Sequence, residues 1–160
     1  MSTSAEQAIL DQLKVIRASR ESVTGEQKWM QTHITELNLR RLLPDISVVG
    51  LHLMSVLEAQ PLTGIDIAQK LGVTRGGVTR AAKKLVTQGL ISTFQQPDDR
   101  KKIFYRLTPS GHKLAHYHDQ MHATFNKQAA NHLKADYSPE ELAIINRFLV
   151  DLENFERQLP

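Results

Sequence analysis

Cysteine is absent from the 160-residue chain, which removes disulfides, thiolate metal ligands and thiol redox chemistry together. A bound metal would have to be held by nitrogen and oxygen. Long hydrophobic runs are also missing: no stretch approaches the roughly 18 apolar residues of a membrane helix. The start lacks a basic stretch followed by an apolar one, so no signal peptide is expected. The expectation is a cytoplasmic protein without a membrane partner. Hydrophobic residues nevertheless make up 41% of the chain, the share of a globular rather than a disordered protein. The length allows one domain with a real core, or a small module framed by long helices.

Net charge is low, +3, but it is unevenly placed. Residues 62–107 hold nine Lys and Arg against three Asp, whereas residues 1–61 hold six against seven acids and residues 108–160 five against seven. A basic middle between mildly acidic flanks suits a phosphate-binding surface, because each neutralised phosphate releases condensed counterions. A solvated face would explain a few lysines but not this segregation.

The same middle segment has the clearest punctuation. Thr63 with Asp66 three residues on opens a helix that Gly72 ends, and Thr74 caps a longer one closed by Gly89. Val78, Leu85 and Val86 are expected to face inward. The short link between the helices suits a helix-turn-helix. Ile91–Gln95 and Ile103–Leu107 read as strands, with 97–102 as the loop between them. Around this module, helices are expected over residues 4–22, 26–43, 47–58 and 108–134, with a break or kink between Ser22 and Gly25 and a stop at Pro44. Ser138-Pro139-Glu140-Glu141 begins a last helix. Its stripe of Ile144, Ile145, Phe148, Leu149, Leu152 and Phe155, like the apolar face of residues 4–22, has little intramolecular surface to bury against. A homodimer is the natural remedy.

The fold class that follows is mainly α with a small β-hairpin wing: a winged helix-turn-helix over residues 46–108, framed by dimerisation helices in 1–45 and 109–160, the whole forming one intertwined domain. On the second helix of the motif, Thr74, Arg75, Thr79, Arg80 and Lys83 share one broad face, where the arginines can make bidentate contacts to guanine. Gly76 and Gly77 would let backbone approach DNA closely. Arg100 and Lys101 project from the wing loop, and Arg100 is placed to enter a narrow minor groove.

From Leu62 to Gly111 the chain resembles the MarR family of transcription regulators. The family's wing pattern of Asp, any residue, Arg and then Leu-Thr stands here as Asp98, Arg100 and Leu107-Thr108. The resemblance implies a homodimeric, sequence-specific DNA-binding regulator, most often a repressor of a pseudo-palindromic operator, with Arg100 as the wing arginine and Asp98 as its orienting partner. Many family members leave DNA on binding a small phenolic or lipophilic ligand, and that alternative stands here too.

Four of the seven histidines, His112, His116, His118 and His122, cluster within eleven residues of one expected helix. At about 100° per residue, His118 and His122 border its apolar side while His112 and His116 point to water. An i, i+4 pair allows both imidazoles to meet one metal ion. The chain is similar here to the zinc-uptake repressor branch of the MarR family. That resemblance puts metal-binding roles on His118, His122 and His52, and implies a glutamate as fourth ligand. Glu36 and His33, i, i+3 neighbours, are the candidates for the fourth place. Acidic residues of a second site in that branch are replaced by Leu51 and Tyr117, so one site per subunit is expected. Zn(II) is the implied ion, although such nitrogen and oxygen donors also suit other divalent transition metals. A metal-dependent hydrolase using the His118–His122 helix, with Asp119 as base, is a remote alternative, since no persuasive third-ligand segment follows.

Overall fold

A computed structural model describes residues 4–20 and 24–158. In chain order the elements are α1 (Ala5–Arg20), α2 (Thr24–His33), α3 (Leu37–Leu42), a 3-10 turn (Leu43–Asp45), α4 (Val48–Leu57), β1 (Leu62–Thr63), α5 (Gly64–Leu71), α6 (Arg75–Thr87), β2 (Ile91–Gln96), β3 (Asp99–Leu107), α7 (Pro109–Asp136) and α8 (Pro139–Arg157). Of the break expected from Ser22 to Gly25, residues 22 and 23 lie outside the described ones, while Thr24 and Gly25 begin α2. The chain groups into two compact units, Met1–Met121 and His122–Pro160, the boundary falling within α7.

Capping chemistry sets the helix-turn-helix. The Thr63 hydroxyl accepts from the Asp66 amide at 3.3 Å while Asp66 Oδ2 accepts from the Thr63 amide at 3.2 Å, which satisfies two otherwise unpaired donors reciprocally. Gly72 closes α5 at φ 64°, a left-handed conformation that favours glycine. Thr74 then starts α6 by accepting from the Gly77 amide at 3.1 Å. Ile67 of α5, together with Val78, Ala82 and Leu85 of α6, is buried with Leu51, Leu53 and Met54 of α4. Val86, expected inward, is 40% exposed. Eight residues along a helix turn it roughly 80° away from Val78, whereas Leu85 stays in line.

The wing differs from expectation in two ways. Residues 97–102 are not a loop: Gln96 pairs with Asp99, so Pro97 and Asp98 alone form the turn and Arg100, Lys101 and Lys102 belong to β3. A third strand, β1, joins the hairpin to give the antiparallel order β1-β3-β2, Leu62 facing Tyr105 and Thr63 facing Phe104. Phe94 stacks on Phe104 across the hairpin with centroids 5.6 Å apart, and the Arg106 guanidinium lies 5.1 Å from the Phe94 ring.

Before the motif, the single helix expected over 26–43 is interrupted at residues 34–36. Ile34 is fully buried, and its carbonyl accepts from Arg40 Nε at 3.0 Å and Arg40 Nη2 at 2.5 Å. The guanidinium thus satisfies a carbonyl that helix continuation would have used. After the wing, the first turns of α7 run against the chain just before β2. A Cβ built on Gly111 would overlap the Leu90 carbonyl oxygen. Within the second unit, α8 starts as read, with Ser138 and Glu141 capping each other at 3.2 and 2.8 Å. Its Ile144, Leu149 and Phe155 remain 58, 52 and 60% exposed.

Candidate metal centre and nucleic-acid interface

Three helices bring four donors together. Glu26 lies in the first turn of α2, His52 on α4, and His118 and His122 one turn apart on α7. His122 is the first residue of the second unit, but it follows His118 on an unbroken helix. One donor atom from each of the four lies within 4.8 Å of every other. His118 is 1% exposed, and its ring centroid stands 5.1 Å from that of His52. Glu26 Oε2 is a buried oxygen 3.7 Å from His118 Nε2. On the other side of the ring, His118 Nδ1 is 2.8 Å from Ser55 Oγ, and that hydroxyl donates to Asp119 Oδ1 at 2.6 Å.

Three imidazoles and one carboxylate form a donor set suited to tetrahedral zinc, whose bonds of about 2.0–2.2 Å put ligand atoms roughly 3.4 Å apart. The observed spacing, within 4.8 Å, exceeds this by about 1.4 Å at most, within the reach of small side-chain rotations. A carboxylate oxygen facing a ring nitrogen in a buried place is also an arrangement that a cation stabilises. Among the described residues, Glu26, His52, His118 and His122 form one group of this kind.

The two residues expected to supply the fourth ligand are engaged elsewhere. His33 stacks on Trp29 with centroids 3.7 Å apart and planes 6° from parallel, and its Nδ1 sits 2.8 Å from the Trp29 carbonyl oxygen. Glu36 takes a hydrogen bond from Lys113 Nζ at 3.2 Å through Oε1, and from Tyr117 Oη at 3.1 Å and Thr35 Oγ1 at 3.0 Å through Oε2. Its own backbone amide, then Lys113 and Thr35, hold the carboxyl at about 2. The fourth donor in the structure is Glu26, one helix earlier. The signal available in the sequence was that Glu26 is the sole acid in the segment that forms α2.

Asp119, the base in the hydrolase alternative, is turned toward Ser55 on the Nδ1 side of His118, away from Nε2. His112 faces Glu58 at 3.6 Å and His116 pairs with Gln120 at 2.9 Å, both exposed as read.

A second surface carries the basic residues. Thr74, Arg75, Gly76, Thr79, Arg80 and Lys83 are all exposed on α6, and its amide-rich start is electropositive. Nothing lies within 4 Å of a Cβ built on Gly76, so no neighbour within the chain requires glycine there. Arg75 and Thr79 line a cleft of about 550 Å³ shared with Lys101, Lys102 and Tyr105 of β3. Helix α6 and the wing therefore border one groove. Arg100 is exposed at the wing. Asp98, the expected orienting partner, lies exposed in the turn. Its neighbour Asp99 accepts from the Lys101 and Lys102 amides at 3.2 and 3.3 Å and pairs with Lys102 Nζ at 3.0 Å. The Lys102 ammonium, first among its partners, lowers the Asp99 carboxyl below its ordinary value.

Residues 50–103 match the pattern of the MarR family. The transcriptional regulator AdcR of Streptococcus pneumoniae is 31% identical over 105 residues, a match that covers 63% of this chain and 68% of AdcR. The chain belongs to the MarR family. It is a transcription regulator with a DNA-binding fold, and not an enzyme. Two solved MarR structures share the fold over nearly the whole chain. The crystal structure of Lactococcus lactis ZitR, described as a zinc-responsive MarR family member, superposes with a TM-score of 0.74 at 22% identity, covering 94% of this chain and 98% of that one. A cysteine-to-serine mutant of ZitR in complex with DNA gives a TM-score of 0.74 at 24% identity, covering 96 and 98%. Among the described residues no helix is long and apolar enough to cross a membrane.

Proposed function

We propose that this MarR regulator binds a pseudo-palindromic operator as a homodimer and that Zn(II) held by Glu26, His52, His118 and His122 raises its affinity for DNA. The observation that carries this reading is the convergence of four nitrogen and oxygen donors from three helices within 4.8 Å. Its similarity to AdcR and ZitR, regulators of which ZitR is described as zinc-responsive, supports the same reading. A bound zinc ion would supply a positive centre shared by three imidazoles and a carboxylate.

The residues do the rest. His52 stands on α4, the helix that leads into the helix-turn-helix, while His118 and His122 stand on α7. Holding His52 against α7 sets the angle at which α6 is presented. In a dimer, two such helices enter successive major grooves about 34 Å apart. Arg75, Arg80 and Lys83 then meet bases and phosphates, Thr74, Gly76 and Thr79 let the helix approach closely, and Arg100 and Lys101 reach from the wing into the adjoining groove. A coupling of about 1–3 kcal/mol between the two sites corresponds to a 5- to 150-fold change in DNA affinity.

The test is operator binding measured with excess Zn(II) and with a chelator, for the wild type and for Glu26→Gln and Glu36→Gln. The wild type and Glu36→Gln are expected to bind DNA more tightly with zinc, and Glu26→Gln to lose most of that response. Equal affinity with and without zinc would overturn the reading and favour an organic effector. Loss of the response in Glu36→Gln alone would return the fourth ligand to the start of α3.

A further inference from the structure

We infer that Ser55 and Asp119 form a polar relay that fixes the tautomer of His118, with hydrogen on Nδ1 and Nε2 turned toward Glu26, before any metal arrives. The inference rests on the zinc reading above and concerns two residues that are not themselves ligands.

Counting hydrogens along the chain of contacts gives the direction. Asp119 is 46% exposed, and its Oδ1 accepts the hydrogen bond from the Ser55 hydroxyl. The 2.6 Å contact between Ser55 Oγ and Asp119 Oδ1 therefore uses the hydroxyl hydrogen of Ser55. A serine hydroxyl has one hydrogen and two lone pairs. Having given the hydrogen to Asp119, Ser55 has only a lone pair to offer His118 Nδ1 at 2.8 Å. The hydrogen in that second contact must come from the imidazole. In its neutral form the ring then has no hydrogen on Nε2, the atom 3.7 Å from Glu26 Oε2.

Metal-bound histidines commonly donate their other N–H to a carboxylate, which orients the ring and raises its basicity; removing such a partner typically lowers metal affinity 10- to 100-fold. In this chain a serine on α4 stands between histidine and carboxylate, both of α7. The relay therefore orients His118 and also spans the two helices that carry His52 and His118. Ser55 and Asp119 are positioning residues: they act through His118.

Nitrogen-15 NMR of the metal-free protein reads the tautomer directly. The wild type is expected to show His118 with hydrogen on Nδ1. In Asp119→Ala the freed Ser55 hydroxyl can turn to donate to Nδ1, and the hydrogen should move to Nε2. Ser55→Ala should give a mixture, and Ser55→Thr, which keeps the hydroxyl, should restore the wild-type signal. Zinc affinity from competition with a chelating dye should fall 10- to 100-fold in Asp119→Ala and Ser55→Ala and recover in Ser55→Thr. Because Asp119 is half-exposed, its replacement leaves the packing intact. An unchanged His118 tautomer in both Asp119→Ala and Ser55→Ala would overturn the relay. If the wild type bound no zinc, the metal reading would fall, while the tautomer measurement on metal-free protein would still decide the relay.

Discussion

The hydroxyl of Tyr117 donates to Glu36 Oε2 over 3.1 Å, joining residues 81 positions apart in sequence. Lys113, one turn earlier on α7, reaches the other oxygen of the same carboxylate at 3.2 Å. One acid thus fastens the segment after α2 to α7. Since α2 carries Glu26, the clasp fixes the far end of that helix against the helix bearing His118 and His122.

This clasp should be visible in acid. The folded-state carboxyl of Glu36 lies at about 2, below the ordinary 4.5. A depressed acid contributes stability above its ordinary value, and that contribution is lost as pH falls toward the folded one. The stability gap between wild type and Glu36→Gln should therefore be full at pH 7 and shrink between about 4.5 and 2. Urea denaturation at a series of pH values measures it, and a gap independent of pH would remove the charged clasp from the account.

At the wing, Arg100→Ala should weaken operator binding by a similar factor with zinc and with chelator, because the residue lies outside the metal centre. The slope of log affinity against log salt should become shallower by about 1 if Arg100 neutralises one phosphate. Fluorescence anisotropy across a salt series supplies both numbers. Unchanged affinity and slope would mean that the wing does not touch DNA.

Gly111→Ala tests how tightly the start of α7 is seated. An added methyl would collide with the Leu90 carbonyl oxygen, and that carbonyl is already tied by the Thr108 amide and hydroxyl, both at 3.0 Å. Forcing the helix outward should cost about 3 kcal/mol, as overpacking does, offset by about 1 kcal/mol of helix propensity gained on leaving glycine. A net loss of roughly 2 kcal/mol in chemical denaturation is expected. A change within about 0.5 kcal/mol, the usual range of a neutral surface substitution, would show that the contact yields.

The helix-turn-helix was legible because its signals are local: Thr63 with Asp66, Gly72 and Thr74 each mark a boundary within a few residues of the group they satisfy. Three of the four donors were reached by resemblance. Glu26 escaped, since an acid in the first turn of a helix reads equally well as a partner for the helix dipole. Only the long-range approach of the Glu26 carboxylate to His52 and His118 distinguishes the two roles. The reach of β3 was hidden for another reason. Its start, Asp99 to Lys102, has no apolar alternation to betray a strand, and pairing with Gln96 is set by the turn. The two-residue β1 is too short to leave any periodic trace.

The route of the chain through Glu26, His52 and His118 has a topological consequence. In the unfolded chain these side chains are far apart, and an ion joining them closes two loops at once, one from α2 to α4 and a longer one from α4 to α7. Unlike a disulfide, such an ion holds the loops only in the folded chain, and it stabilises that state by binding it in preference to the unfolded one. A chain without cysteine would thereby gain a staple that forms and releases with the supply of zinc, and its resistance to unfolding would itself report how much zinc is present.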